Sequence, residues 1–140
     1  MSRSELDLFP KQVLKALNDG TAKLVINTQS KLSASSPVDS GRLASSWFVS
    51  KDQPDTTSER DKDWAKPGEG RVEVEEPDPN SIKFDSDHFI CNNLPYAERA
   101  AEDPGYVGKR GNVEADWFSR IQNQLDQDAK RIYQREFRKI

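Results

Sequence analysis

A chain of 140 residues has room for one domain with a single modest core. Its hydrophobic fraction of 34% stands beside a charged fraction of 32%, so much of its surface must be solvated or covered by other subunits. A net charge of −3 argues against a general nucleic-acid binder, and the single cysteine, Cys91, rules out an internal disulfide. No apolar run approaches a membrane span, and the first residues lack the apolar core of a signal peptide. A reducing cytosol is therefore the expected place of synthesis.

The first amphipathic segment is predicted as a helix over residues 10–34. Pro10 suits a first helical position, where its missing N–H would be unpaired anyway. Leu14, Leu17, Thr21, Leu24, Thr28 and Leu32 recur at three- and four-residue steps and define the expected buried face. Gly20 lowers helix stability by about 1 kcal/mol relative to alanine and marks a site for a bend. Serines 33, 35 and 36 compete with the helix backbone, and Pro37 ends the helix.

A single helical turn is expected at 39–43, with Asp39 accepting from the amides that follow it. Residues 44–49, with Trp47, Phe48 and Val49, read as a strand. The composition then changes: residues 51–80 hold ten Asp or Glu against five Lys or Arg, and four of the eight prolines. Within this block residues 51–67 lack periodicity and are expected to project as a loop or hairpin tip. Trp64 is the one large ring there, and Arg71–Glu75 alternates as a half-buried strand would.

Asp78-Pro79-Asn80 signals a turn, followed by predicted strands at 81–84 and 87–92 joined tightly through Asp85-Ser86-Asp87. A short helix with Pro95 in its first turn follows Asn93 and stops at Pro104-Gly105. The glycine-rich stretch 105–111 reads as a loop. The last helix starts near Asn112 or Val113. Trp117, Ile121, Leu125, Ala129, Ile132 and Phe137 mark its buried face, which Phe118 and Tyr133 widen. The expected fold is α+β: a small antiparallel sheet packed by a long N-terminal helix and a C-terminal helix.

Chemistry-bearing residues are sparse. His88 is the only histidine, and no second His or Cys lies near enough in sequence to build a zinc site with it. Cys91 reads as a small core residue, and three positions from His88 in a strand it faces the other way. Asp78, Glu75 and Lys83 could be drawn together as a magnesium-dependent nuclease, but carboxylates are so abundant that such a match arises by chance. The run Gly105-Tyr-Val-Gly-Lys-Arg-Gly lacks the spacing and context of a phosphate-binding loop. No catalytic set and no cofactor site are expected.

The sharpest local signals are two corners, Ser36-Pro37-Val38-Asp39-Ser40-Gly41-Arg42-Leu43 and Asn92-Asn93-Leu94-Pro95-Tyr96-Ala97-Glu98. In the first, Pro37 breaks a helix, Asp39 caps a turn, Gly41 permits close backbone approach or a positive φ, and Leu43 anchors the corner. In the second, Asn92 and Asn93 can bond free backbone groups, Pro95 starts a turn, and Tyr96 packs as an amphipathic wedge. Taken together and in this order, these phrases resemble the tail-completion and neck proteins of tailed bacteriophages, the HK97 gp10-like family. Two departures stand out: Glu102 runs into Asp103-Pro104-Gly105, lengthening the loop there, and the acidic connection exceeds a minimal hairpin.

The resemblance implies a structural virion protein, assembled in the host cytoplasm, that forms a ring at the head–tail junction. A hexamer is expected ahead of a dodecamer. The implied partners are the adjacent portal connector and the tail terminator, tube or sheath proteins, with DNA only as passing cargo. Asp61, Asp63, Trp64, Glu73 and Glu75 would then line the channel or touch the adjacent ring, and Lys109 and Arg110 would touch a neighbouring subunit. A small non-viral adaptor and the metal-dependent nuclease are the competing classes.

Overall fold

The computed structural model describes residues 3–37, 42–56, 74–102 and 116–140. A helix α1 (Arg3–Ser35) leads into a short helix α2 (Arg42–Ser45) and a strand β1 (Phe48–Lys51). After the acidic connection come a 3-10 turn (Pro79–Ser81), a strand β2 (His88–Cys91), a short helix α3 (Ala97–Glu102) and the closing helix α4 (Trp117–Phe137). The expected α+β class holds, with the long first and last helices packed on each other and one small antiparallel sheet among the described residues.

α1 starts earlier than predicted, so Pro10 lies inside it rather than at its first position. A proline two turns into a helix removes one backbone bond and crowds the carbonyl four residues earlier, a cost that the packing of the later turns of α1 outweighs. The buried face also departs from the leucine stripe. Leu14 is 48% exposed, and Leu17 and Leu24 are half-buried. Smaller and polar residues are covered instead, among them Ala16, Gly20, Thr21, Ala22, Val25, Thr28, Gln29 and Ser33. The reason is that α1 is packed on two sides. Ala22, Val25 and Ile26 meet Ile82, Val49 and Ile90 on the sheet side, while other positions receive α4. Thr21 and Thr28 tolerate burial because their hydroxyls donate to the carbonyls of Leu17 and Leu24, each at 2.7 Å.

α4 runs antiparallel to α1: Tyr133 lies over Gly20 at one end, and Trp117 and Ile121 join Leu32 at the other. Gly20 thus admits a ring. A Cβ there would stand 2.6 Å from Tyr133 Cδ1, closer than side-chain atoms approach one another. Since the Thr21 hydroxyl donates to Leu17, the Tyr133 phenol is the donor in their 2.5 Å contact. Trp117, Ile121 and Ile132 are buried as predicted, but Leu125 and Phe137 are each 39% exposed and Glu136 is buried in place of Phe137. The described start of α4 is Trp117, preceded by Asp116 without a side-chain cap; Asn112 and Val113 lie outside the described residues.

Glu136 is covered because two lysines meet it. Lys23 of α1 donates to Oε1, and Lys139 donates to both carboxylate oxygens at 3.1 and 3.3 Å. The Lys23 hydrogen bond, reinforced by Lys139, holds the Glu136 carboxyl below its ordinary value of 4.5 despite the opposing effect of burial. The same bond raises Lys23 above 10.5. A lowered carboxylate contributes stability that is present above its unfolded value and is lost as pH falls through the folded one. The raised lysine contributes below its unfolded value and loses that contribution as pH climbs through the folded one. Urea midpoints of wild type should therefore drop between neutral pH and about pH 3 by more than those of Glu136→Gln. Equal drops would remove Glu136 from the acid limb.

β1 and β2 pair antiparallel, Phe48 opposite Cys91 and Lys51 opposite His88. The predicted strand at 44–49 is displaced toward the C-terminus, since Ala44 and Ser45 belong to α2. The strand predicted at 81–84 is replaced by the 3-10 turn, whose Asp78 carboxylate accepts from the Asn80 amide at 2.9 Å. Ile82 is buried beneath α1 without pairing, and residues 84–86 turn the chain into β2. Of the alternating stretch 71–75, Val74 and Glu75 are irregular and 71–73 lie outside the described residues.

Candidate functional site

Each corner is built from local bonds before the two meet. At the end of α1 the Ser36 amide donates to the Ser33 carbonyl, and its hydroxyl donates to the Leu32 carbonyl at 2.6 Å. That hydroxyl also accepts from Trp47 Nε1 at 2.9 Å, so one serine ends the helix and places the indole. Pro37 is buried directly after it, and Asp39 and Gly41 lie outside the described residues. In the second corner, the Leu94 amide donates to Asn92 Oδ1 at 3.3 Å and the Ala97 amide to the Leu94 carbonyl at 3.0 Å. Pro95 is exposed at this turn, and α3 begins at Ala97, just after the predicted first turn.

The structure brings the two corners together. Leu43, 4% exposed, packs with Leu94 and Ala100, and Tyr96 and Ala97 lie against them. Asn92 Nδ2 donates to the Leu43 carbonyl at 2.8 Å, a bond across 49 positions of sequence. Asn92 therefore serves both corners, with its amide nitrogen on the first and its oxygen on the second. Asn93, exposed, donates instead to the Asp55 carbonyl.

Behind the corners an aromatic cluster closes the core. Trp47 stacks on Phe118 at 6.2 Å and meets Trp117 edge-on at 6.3 Å. Trp117 Nε1 donates to the Ala100 carbonyl at 3.2 Å, tying α4 to α3. Val74, Ile90 and Leu32 complete the cluster.

The feet of the acidic connection are fastened here. On the outgoing side the Asp52 amide donates to the Asp87 carbonyl at 2.8 Å, and Asp52 adopts φ 67°, a left-handed conformation that turns the chain off the sheet. On the returning side stands Gln29, a fully buried amide projecting from α1. Its Nε2 donates to the Trp47 carbonyl at 2.8 Å and to the Glu75 carbonyl at 3.0 Å. One side chain thus joins the strand that enters the sheet to the segment that returns from the connection. Gln29 Oε1 and Ser46 Oγ are buried without a hydrogen-bond partner.

Sequence reasoning missed Gln29, whose sole local signal was a polar residue within the sheet-facing side of α1. Of the residues expected to line a channel or meet an adjacent ring, Glu75 is exposed at the foot of the connection. Asp61, Asp63, Trp64 and Glu73 lie outside the described residues, as do Lys109 and Arg110. His88 sits at the start of β2 against the backbone of Lys83, with Nε2 2.9 Å from its carbonyl. Cys91 is half-buried at the end of β2, not the core position expected, because the outer edge of this two-stranded sheet is only partly covered. Asp78 is occupied with its turn cap. No group of three or more potential metal ligands occurs among the described residues. No helix among them is long and apolar enough to cross a membrane.

Comparisons with protein-family models, with curated proteins and with solved structures give no match.

Proposed function

We propose that this chain is a structural subunit of the head–tail junction of a tailed bacteriophage, forming a ring that completes the tail or joins it to the portal connector. The observation that carries this reading is the meeting of the two corner phrases. The residues behind the resemblance, Leu43, Asn92, Leu94, Tyr96 and Ala97, form one packed and hydrogen-bonded unit. Scattered chance matches would have no reason to converge. The order of elements agrees as well: a long helix, a corner, a strand, a second strand, a second corner and a closing helix.

In this reading the corners are architecture. They hold the two long helices and the sheet in fixed relation, and the acidic connection is the part presented to DNA or to an adjacent ring. Like charge along such a segment would keep passing DNA from adhering. The described chemistry is also that of a scaffold: its conspicuous polar groups, Asn92, Gln29 and Ser36, bind backbone carbonyls.

Native mass spectrometry of the chain with the neighbouring virion proteins tests the proposal. The expected result is a closed assembly of six copies, or twelve. A chain that never closes into a ring with or without those proteins would defeat it and favour the adaptor. Within a ring, replacing the acids of 51–80 by serine separates the two roles of the connection. Altered DNA ejection places it in the channel, whereas lost tail attachment with normal ejection places it on the adjacent ring.

A further inference from the structure

The seam between α1 and α4 sorts charge by depth. Asp128 of α4 is 13% exposed and lies beneath Lys31 of α1 and Arg131 of its own helix, at 2.5 and 3.3 Å. Glu136, two turns further on, is covered in the same way by Lys23 and Lys139. Short carboxylates fit into the seam, whereas the long stems of lysine and arginine carry their charge out to water. Each cluster therefore sets two cations over one acid, and the two clusters stand about 12 Å apart along the helices. Arg135 and Arg138, both exposed, follow Arg131 along the side of α4 that carries Asp128. From Lys130 onward every exposed charged side chain is basic.

The sheet side of the molecule carries the opposite sign. Residues 51–56 and 74–88 hold seven Asp or Glu against two basic residues, Lys51 and Lys83. Asp52, Glu76, Asp78, Asp85 and Asp87 among them are exposed. Asp52 and Asp87 are held side by side, since the amide of the first donates to the carbonyl of the second. This acidic layer is anchored on α1 through Ile82, Val49 and Ile90, on the side of the helix that α4 does not cover.

We infer that the basic seam of one copy receives the acidic sheet side of a second copy. The contact joins two different patches on different sides of α1, so it is head-to-tail and adds copies in turn until it closes. Pairing seam with seam, or sheet with sheet, would set like charges together and is disfavoured. A nucleic acid would also be drawn to the seam, but a chain of net charge −3 repels it as a whole. The inference rests on the ring reading for closure alone, and it names the two faces through which the copies of that ring touch.

Sedimentation equilibrium on the full chain tests it. At about 0.01 M salt, where charges act over about 30 Å, wild type should associate beyond a dimer as its concentration rises. At about 1 M salt, where they act over about 3 Å, it should be monomeric. Arg135→Gln combined with Arg138→Gln should abolish the association, and so should Asp52→Asn, Asp85→Asn and Asp87→Asn together. Both variants should keep their helical content, because these side chains are exposed and asparagine accepts the left-handed φ of Asp52. Mixed, the two variants should join one to one and no further, each supplying the face that the other lacks. A wild type that stays monomeric at low salt or stops at a dimer, or a mixture that does not pair, would each overturn the inference. So would a DNA duplex that wild type retains and the arginine variant releases. Ring closure with the virion proteins reads the other proposal separately. Rings formed equally well by both variants would remove these faces and leave the ring, whereas salt-sensitive association that never closes would remove the ring and leave the faces.

Discussion

Gln29→Met should lower the stability of the chain by roughly 2 kcal/mol, since the buried Trp47 carbonyl and the part-buried Glu75 carbonyl lose this donor at once. Methionine nearly matches the volume of glutamine, so the loss reports the hydrogen bonds and not a cavity. The carbonyls are those of Trp47 and Glu75, on the two sides of the acidic connection. A global loss in urea titration should therefore come with a local one, faster amide exchange around Val74 and Glu75 than elsewhere in the core. Stability within about 0.5 kcal/mol of wild type would show that both carbonyls find water when the amide is gone. The buried Gln29 oxygen has no partner, so its removal relieves an unpaired polar group and the measured loss is net of that gain.

Gly20→Ala should also destabilise, against the helix-propensity rule. In an exposed helix interior this change gains about 1 kcal/mol. Here the new methyl would enter the ring of Tyr133, with Cδ1 and Cε1 at 2.6 and 2.7 Å. The phenol cannot simply swing aside, because its hydroxyl is bound to Thr21 on the same helix. Overpacking of this kind costs about 1–3 kcal/mol, enough to reverse the sign of the propensity gain. Thermal melts of Gly20→Ala, Tyr133→Leu and the double variant check it: the alanine should be tolerated far better once the ring is gone. A single variant that melts above wild type would mean that α4 moves away without loss.

The parts of the fold that were legible in the sequence are those governed by neighbours a few residues apart. Ser36 and Pro37 end α1, and Asn92 and Pro95 shape the second corner, through bonds that local residue type dictates. α4 was legible through the spacing of Trp117, Ile121 and Ile132. The face of α1 was not, because a helix packed on two sides buries small residues where its neighbours come closest, and its leucines are left toward the margins. Glu136 shows the same limit at one residue. Periodicity favoured Phe137, but the cation that makes Glu136 a buried position comes from Lys23, 113 residues away. The strand assigned to 81–84 failed for a related reason: Ile82 is held by α1 and not by a pairing partner.

The candidate site was half legible. Leu43, Asn93, Pro95 and Tyr96 were identified as corner residues from their types. That the two corners touch was not legible in the sequence, since no local rule joins Asn92 to Leu43. Gln29 gave no signal that distinguished it from an ordinary polar residue on a helix.

The fastened feet of the acidic connection bear on how this chain can change. Asn93 holds the Asp55 carbonyl and Gln29 holds that of Glu75, so the stretch between them begins and ends at fixed points on the core. Lengthening a segment closed in this way adds only about 0.6 kcal/mol for each doubling. The interior is thereby insulated from whatever sequence is spliced in between, and that stretch can be exchanged, extended or recharged to suit a new neighbour while the packed corners stay as they are.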